Sequence, residues 1–141
     1  MIVLDTDTLT LMAWQDSPLR EKLVNRLADV GPHDLATTIV TYEEQTCGWF
    51  KYKARAKNIT QEIDAYERLR KHLENYRTLT ILDFDGQAAA EFQSLRRMKT
   101  RIGTMDLKIA SIVKVQGAVL FTRNLVDFKR IPGLNVENWS S

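Results

Sequence analysis

The stretch that decides the fold is residues 1–7, MIVLDTD, in which a short apolar run leads directly into two carboxylates. The run Ile2-Val3-Leu4 lacks polar alternation, which is typical of a strand buried on both faces, as in a parallel sheet. Ligands bind beyond the carboxyl ends of such strands. We therefore expect Asp5 where a buried strand meets solvent, either capping the next helix or helping to hold a cation.

The composition indicates one globular domain over residues 1–141. Hydrophobic residues make up 44% of the chain and the formal net charge is +2, so disorder is not expected and charge alone does not indicate nucleic acid. The single cysteine, Cys47, excludes an internal disulfide and a cysteine-based zinc site, and we expect it to be buried. No apolar run approaches the ~20 residues of a membrane span, and nothing resembles a signal peptide, so we expect a cytoplasmic protein.

Strand-like and helix-like patterns alternate along the rest of the chain. Further strands are predicted at residues 35–40, 79–82, 118–122 and 135–136. Helices are predicted from residue 9 to 14, from 18 to 30, from 41 onward, and over 60–76, 86–98 and 106–115. In the helix over 60–76 the residues predicted to face inward are Ile63, Tyr66, Leu69 and Leu73. This alternation favours a three-layer α/β/α fold with a mostly parallel central sheet.

Acids and amides recur where such a sheet gathers its ligands. They are Asp5 with Asp7, Glu44, Asp106, and Asn124 with Asp127. Carboxylates crowded into one crevice repel each other, and a bound divalent cation offsets that repulsion. The chain offers no cysteine or histidine cluster, so oxygen ligands and hence Mg²⁺ or Mn²⁺ are favoured. No Ser-His-Asp set, phosphate-binding loop or dinucleotide fingerprint competes with this interpretation.

Each of these residues also has a purely structural interpretation. Asp5 fits a helix cap at a strand-to-helix junction. Glu44 lies three residues after Thr41, which is the spacing of a capping box. Asp106 fits the first turn of a helix, where a negative charge meets the dipole favourably, and Asn124 with Asp127 fits a loop-and-cap pair. Only their coincidence on one edge of the sheet favours a metal site.

Several motifs, taken in order, resemble the PIN-domain ribonucleases, specifically the VapC toxins of type II toxin–antitoxin pairs. The resemblance covers nearly the whole chain. Its motifs are residues 2–7 (IVLDTD), Thr41-x-x-Glu44 with Gly48, residues 102–106 (IGTMD), Ile109-Ala110, Gly117, residues 120–124 (LFTRN), Asp127-Phe128, residues 130–134 (RIPGL) and residues 136–139 (VENW).

The resemblance implies an endoribonuclease that uses one or two Mg²⁺ or Mn²⁺ ions to activate water beside an RNA phosphate. Asp5, Glu44, Asp106 and Asp127 match the family's acidic set, with Asp5 and Asp106 as the metal ligands. Some members place the fourth acid where this chain has Asn124.

Other residues match supporting positions of the family. Thr6 and Thr122 would brace the carboxylates or contact substrate, and Asp7 stands where the family more often has Asn or Ser. Arg123 would steady a phosphate or pair with a nearby acid. The resemblance also implies an RNA substrate, a homodimer and a cognate antitoxin that binds across helices flanking the pocket.

Aromatic and basic residues are mixed between Trp49 and Lys57. RNA recognition combines phosphate contacts with base stacking on aromatic rings. A solvated helix with Phe50 packed inward produces the same pattern. Trp14, Trp49, Phe50 and Tyr52 would line the antitoxin-binding groove that the resemblance implies, or belong to the core.

Two alternatives to the nuclease remain open from the sequence. The haloacid-dehalogenase phosphatases carry a strand-end Asp-x-Asp signature, and both Asp5-Thr6-Asp7 and residues 83–86 (DFDG) resemble it. No convincing closing acidic pair follows Lys129, which that family would need. The second alternative is a non-catalytic module that holds RNA or a protein through the same fold.

Overall fold

A computed structural model describes residues 1–140 of the chain. The strands are β1 (Ile2–Leu4), β2 (Leu35–Thr38), β3 (Thr80–Leu82), β4 (Val119–Phe121) and β5 (Asn135–Glu137). The helices are α1 (Thr6–Trp14), α2 (Pro18–Arg26), α3 (Ile39–Ala54), α4 (Ile59–Tyr76), α5 (Gly86–Arg97), α6 (Thr104–Gln116) and α7 (Leu125–Phe128), with a short 3₁₀ turn at Pro32–Asp34.

The five strands form one parallel sheet in the order β3-β2-β1-β4-β5. β1 is central, and Val3 lies in register with Ala36 on one side and Leu120 on the other. Because all strands run the same way, their carboxyl ends meet at one edge of the sheet. The predicted α/β/α class with a parallel sheet is confirmed.

Apolar cores cover both faces of the sheet, which explains the unbroken apolar run of β1. Val3 belongs to one core, together with residues of α5 and α6 such as Phe92 and Ile109. Leu4 belongs to the other core, which includes Leu23 of α2. Since successive strand residues point to opposite faces, both must be apolar when helices cover both sides.

Several element boundaries differ from those predicted. β2 ends at Thr38, whose side chain accepts a hydrogen bond from the Thr41 backbone N–H, and α3 begins at Ile39. The strand predicted over residues 35–40 is therefore too long. The helix predicted over residues 60–76 begins one residue earlier, at Ile59, because Asn58 and not Thr60 caps α4. Both errors arise because neighbouring residues can serve as a cap, and tertiary packing selects one of them.

The predicted inward face of α4 is wrong. Ile63, Tyr66 and Leu73 are exposed, while Leu69 is half-buried. The buried residues of the helix are Ala65, His72 and Tyr76. They face α3, where His72 Nε2 lies 2.8 Å from Thr46 Oγ1, so polar and aromatic contacts orient this helix.

Cys47 on α3 is exposed, so the expectation that it is buried is also wrong. Among the helices described, none is both long and apolar enough to cross a membrane.

Candidate active site

Four carboxylates come together at the carboxyl edge of the sheet, although they are far apart in sequence. Asp5 follows β1, Glu44 lies in the second turn of α3, Asp106 lies in the first turn of α6, and Asp127 lies in α7. Burial, followed by the charges of Glu44, Asp5 and Asp127, raises the pKa of Asp106 to about 6. The structure thus places the other three acids within electrostatic reach of Asp106.

Asp5 is both a helix cap and a buried acid. It is 5% exposed, and its Oδ1 accepts a hydrogen bond of 2.9 Å from the Thr8 backbone N–H at the start of α1. Burial raises the pKa of Asp5, and hydrogen bonds to Thr122 and Thr8 act in the opposite direction. The capping interpretation is therefore correct, but it does not exclude a place in the acidic cluster.

Glu44 does not belong to a capping box. The cap of α3 is Thr38, six residues earlier, so the interpretation based on Thr41 is wrong. The Thr6 hydroxyl lies 2.6 Å from Glu44 Oε1 and donates to it, and Thr6 also lies 3.1 Å from the Thr41 hydroxyl. This contact joins α1 to α3 and fixes one oxygen of the glutamate beside the other acids.

Asn124 and Asp127 form a local pair at the end of β4. Asn124 Oδ1 accepts from the Asp127 backbone N–H, and its Nδ2 donates to Asp127 Oδ2 at 3.0 Å. The Asn124 backbone N–H donates to the Thr122 hydroxyl at 2.9 Å, and Arg130 lies 3.6 Å from Asp127 Oδ1. The cap pairing expected from the sequence is present, and it holds Asp127 near Asp106.

Asp7 lies outside the buried part of the cluster. Its side chain is 65% exposed, and its Oδ2 accepts from Arg123 Nη2 at 2.6 Å. Of the two expectations for Arg123, the structure contains the ion pair. The guanidinium also lies 5.9 Å from the centre of the Trp139 ring. Arg123 is thus occupied with side chains of its own chain.

The acidic cluster is open rather than a closed metal cage. Within residues 1–140, no three carboxylate, histidine or cysteine side chains lie close enough to bind one ion directly. The donor set still suits Mg²⁺ or Mn²⁺, because all its ligands are oxygens and Mg²⁺ usually keeps several waters beside one or two carboxylates. Burial, and then the negative charges of Glu44, Asp5 and Asp127, raise the pKa of Asp106, so a cation bound nearby would be favourable. The residues present therefore fit a hydrated divalent ion.

An apolar cavity of about 330 Å³ adjoins the acids between α1 and α3. We call it the aromatic cleft. Its walls include Thr6 and Glu44 at one end and Trp14, Trp49 and Tyr52 further out.

Two polar residues of the cleft, Thr10 and Gln45, were not predicted from the sequence. Gln45 Nε2 donates to Thr10 Oγ1 at 2.9 Å, and the Tyr76 hydroxyl donates to Gln45 Oε1. For Gln45 a signal was present: its helical spacing from Gly48, which Glu44 shares, could have placed these three residues on one side of α3.

The mixed aromatic and basic segment of α3 divides between two surfaces. Trp49 is half-buried and lines the cleft, whereas Phe50 is 59% exposed and points away from it. The alternative in which Phe50 packs inward is wrong. Lys53 lies over the ring of Tyr66, and Arg68 lies over that of Tyr52, so cations and rings of α3 and α4 are paired.

Comparison with protein families gives a match to the PIN domain over residues 2–134. Among curated relatives, the tRNA(fMet)-specific endonuclease VapC of Salmonella typhimurium is 40% identical over 65 residues, which is 43% of this chain and 49% of that protein. The chain thus matches only about half the length of that relative.

Solved structures resemble the chain over almost all of its length. VapBC2 from Rickettsia felis, bound to a fragment of its promoter DNA, matches with a TM-score of 0.74 and 27% identity, covering 99% of both chains. VapBC-1 from nontypeable Haemophilus influenzae matches with a TM-score of 0.71 and 26% identity, covering 100% of both.

Proposed function

The chain belongs to the PIN-domain family, and we propose from this premise that it is a divalent-metal-dependent endoribonuclease, the toxin of a type II toxin–antitoxin pair. The observation that carries the proposal is the convergence of Asp5, Glu44 and Asp127 on the half-buried Asp106, whose pKa is raised first by burial and then by the charges of these three acids. Mutually repelling carboxylates at the carboxyl edge of a parallel sheet lower the stability of the fold, but together they form a favourable site for a cation. The names of the curated relatives, which are ribonucleases and endonucleases, support RNA as the substrate.

Asp5 and Asp106 would hold Mg²⁺ or Mn²⁺, and Glu44 and Asp127 would bind the waters around it. A bound ion of this kind polarises a phosphoryl oxygen and lowers the pKa of a water molecule. Thr6 keeps Glu44 Oε1 directed by its 2.6 Å hydrogen bond, and the second oxygen is left to accept a proton or orient water. An RNA substrate also implies that the protein acts in the cytoplasm.

We propose a cognate antitoxin as the protein partner and a homodimer as the assembly. Support for the antitoxin comes from the structural neighbours, since those from Rickettsia felis and Haemophilus influenzae are VapBC complexes. Exposed apolar side chains on α4, including Ile59, Ile63 and Leu73, provide surface for such contacts.

The test is cleavage of total and transfer RNA by the purified chain with Mg²⁺, with Mn²⁺ and with EDTA. We expect cleavage with either ion, none with EDTA, and a loss of at least about 100-fold in Asp5→Asn and Asp106→Asn, given the usual size of metal and acid–base contributions. The matched control is Asp83→Asn, an exposed acid that follows β3 and lies outside the cluster. It should cleave like wild type.

The phosphatase alternative predicts hydrolysis of small phosphoesters, and it predicts that Asp83→Asn abolishes this activity. Asp83 and Asp85 belong to its motif, yet Asp85 caps α5 through the Ala88 N–H at 2.9 Å, on the outermost strand of the sheet. The family match to the PIN domain contradicts this alternative.

The non-catalytic module is favoured by one observation, the lack of three direct metal ligands among residues 1–140. That alternative predicts RNA or protein binding without cleavage under any of the metal conditions above. Cleavage that depends on Asp106 would eliminate it.

A further inference from the structure

The chain between α5 and α6 is strongly basic and leads into the candidate active site. Between Glu91 and Asp106 the sequence contains four cations and no acid. We call residues 96–101 (RRMKTR) the basic connection, and its cations are Arg96, Arg97, Lys99 and Arg101. Asp106 follows Arg101 by five residues, and five residues of extended chain span at most ~18 Å. The basic connection therefore ends close to the acidic cluster.

The cations of the basic connection are not neutralised by the protein. All four residues are exposed, and none forms a salt bridge with a carboxylate of residues 1–140. Glu91, the nearest preceding acid, is paired with Lys114 at 2.7 Å instead. Like charges held close together repel each other, and this repulsion is relieved when an anion binds. The basic connection is thus prepared for a negatively charged ligand.

Lys99 and Arg101 have backbone conformations that suit glycine better. Their φ angles are 51° and 63°, and within residues 1–140 they are the only residues other than glycine with positive φ. Lys99 follows the C-cap of α5, and its backbone N–H donates to the Arg96 carbonyl at 3.1 Å. Helices commonly end with glycine at this position, because a side chain there is strained. The chain therefore places cations at two positions where glycine would favour folding, which indicates that the charges have a function.

The side chains of the basic connection favour phosphates as the ligand. Residues 96–101 include no aromatic residue, and Met98 is the exposed apolar side chain among them. A protein partner would need several apolar or aromatic anchors at the centre of its interface. Recognition of unpaired bases would need aromatic rings for stacking. Guanidinium and ammonium groups without such anchors are typical of contacts to phosphate oxygens.

We propose that the basic connection binds the phosphate backbone of the RNA on one side of the cleavage site. The inference rests on the proposed function, because the acidic cluster defines where the RNA is cut. Contacts to phosphates raise the affinity for RNA in general and orient the strand, but they do not read its sequence. Because single strands and duplexes both expose their phosphates, the basic connection accepts a base-paired flank as well as an unpaired one.

The experiment measures the Kd of a short fluorescein-labelled single-stranded RNA by anisotropy, in EDTA, at salt concentrations from about 50 to 200 mM. The test variant carries Lys99→Gly and Arg101→Gly together. Each phosphate contact to a single strand contributes about 0.7 to the slope of log Kd against log salt, so the slope should fall by about 1.4. Extrapolated from 1 M salt, the same slope predicts a rise in Kd of about 25-fold at 0.1 M.

The urea midpoint of this variant separates lost contacts from lost folding. Glycine relieves the backbone strain at both positions, so the midpoint should equal or exceed that of wild type. Exchanging the two cations, as Lys99→Arg with Arg101→Lys, keeps the charge and should leave the Kd within about twofold of wild type. Lys22→Gln removes an exposed cation from α2, which covers the opposite face of the sheet, and should also leave the Kd within about twofold.

The outcomes separate this inference from the proposed function. If wild type cleaves RNA but the double glycine variant binds it with unchanged Kd and salt slope, the inference alone is overturned. A weaker Kd with an unchanged salt slope also overturns it, since the residues would then act without contacting phosphates. Equally tight binding of wild type to a polyglutamate peptide would assign the basic connection to an acidic protein instead. If wild type does not cleave RNA while the glycine variant loses affinity and salt slope, the inference holds and the nuclease proposal fails.

Discussion

Replacing Asp106 with asparagine should stabilise the metal-free protein. The ordinary pKa of 3.8 rises to about 6 at this site, mainly through burial and then through the charges of Glu44, Asp5 and Asp127. A pKa rise of this size corresponds to a destabilisation of the folded protein by about 3 kcal/mol when the charge is fully buried. The side chain is only half-buried, so we halve the figure to about 1.5 kcal/mol. Loss of the favourable helix-dipole contact at the first turn of α6 removes about 0.5 kcal/mol, which leaves a gain of about 1 kcal/mol at pH 7.5.

The gain in stability of Asp106→Asn over wild type should increase with pH. Because the folded-state pKa is above the unfolded one, the folded protein binds more protons between about pH 4 and pH 6. Wild-type stability arising from this group is present below pH 4 and is lost as the pH rises through 6. The advantage of Asp106→Asn should therefore be largest above pH 7 and should disappear near pH 4.5.

The assay is urea unfolding followed by circular dichroism, in EDTA, at pH 7.5 and pH 4.5. The matched control is Asp83→Asn, an exposed acid that should change stability by less than about 0.5 kcal/mol at either pH. Repeating the pH 7.5 titration with Mg²⁺ should stabilise wild type and leave Asp106→Asn almost unchanged. An Asp106→Asn variant that is no more stable than wild type at pH 7.5, or equally improved at both pH values, would refute the reasoning.

Three further variants test separate contacts. Thr6→Val removes the hydroxyl that donates to Glu44 Oε1, so the rate of RNA cleavage should fall about 10-fold while urea stability changes by about 1 kcal/mol or less, and Thr6→Ser should recover the rate. Thr46→Val removes the contact at Nε2 of the buried His72 ring, whose Nδ1 already lacks a partner within the described chain. The free energy of unfolding should fall by about 1–3 kcal/mol. An unchanged urea midpoint would argue against the contact. Gly117→Ala places a Cβ on a residue with φ of 63°, where no atom lies within 4 Å, so the cost should be backbone strain of about 1–2 kcal/mol in urea titrations and activity should be retained.

The sheet and its acidic edge were predictable because two general rules act together. An unbroken apolar run such as Ile2-Val3-Leu4 requires cover on both faces, and parallel strands end at one edge. Any acid that follows two neighbouring strands must then be close in space. This reasoning placed Asp5 and the Asn124–Asp127 pair without any knowledge of side-chain contacts, and the structure brings them to the same edge as Asp106.

Local patterns failed where two neighbouring residues satisfy the same rule. Thr38 and Thr41 both have the chemistry of a helix cap, and the strand register that buries Thr38 decides between them. The face of α4 was misassigned for a related reason. Apolar spacing marks Ile63 and Tyr66, but the contact of His72 with Thr46 turns the other face of the helix toward α3.

The aromatic cleft had no reliable signature in the sequence. It depends on how α1 packs against α3, which brings Trp14 and Trp49 together from positions far apart in the chain. Aromatic residues near cations are consistent with a core, a solvated helix or a binding surface, and only tertiary packing separates these possibilities.

The most direct test of the central claim is a titration of the chain with Mn²⁺, followed by electron paramagnetic resonance at pH 7.5. If the acids share one ion, Asp5→Asn, Glu44→Gln and Asp106→Asn should each weaken Mn²⁺ binding, and Asp83→Asn should bind like wild type. Binding that is as tight in all three cluster variants as in wild type, or absent from wild type altogether, would contradict the account.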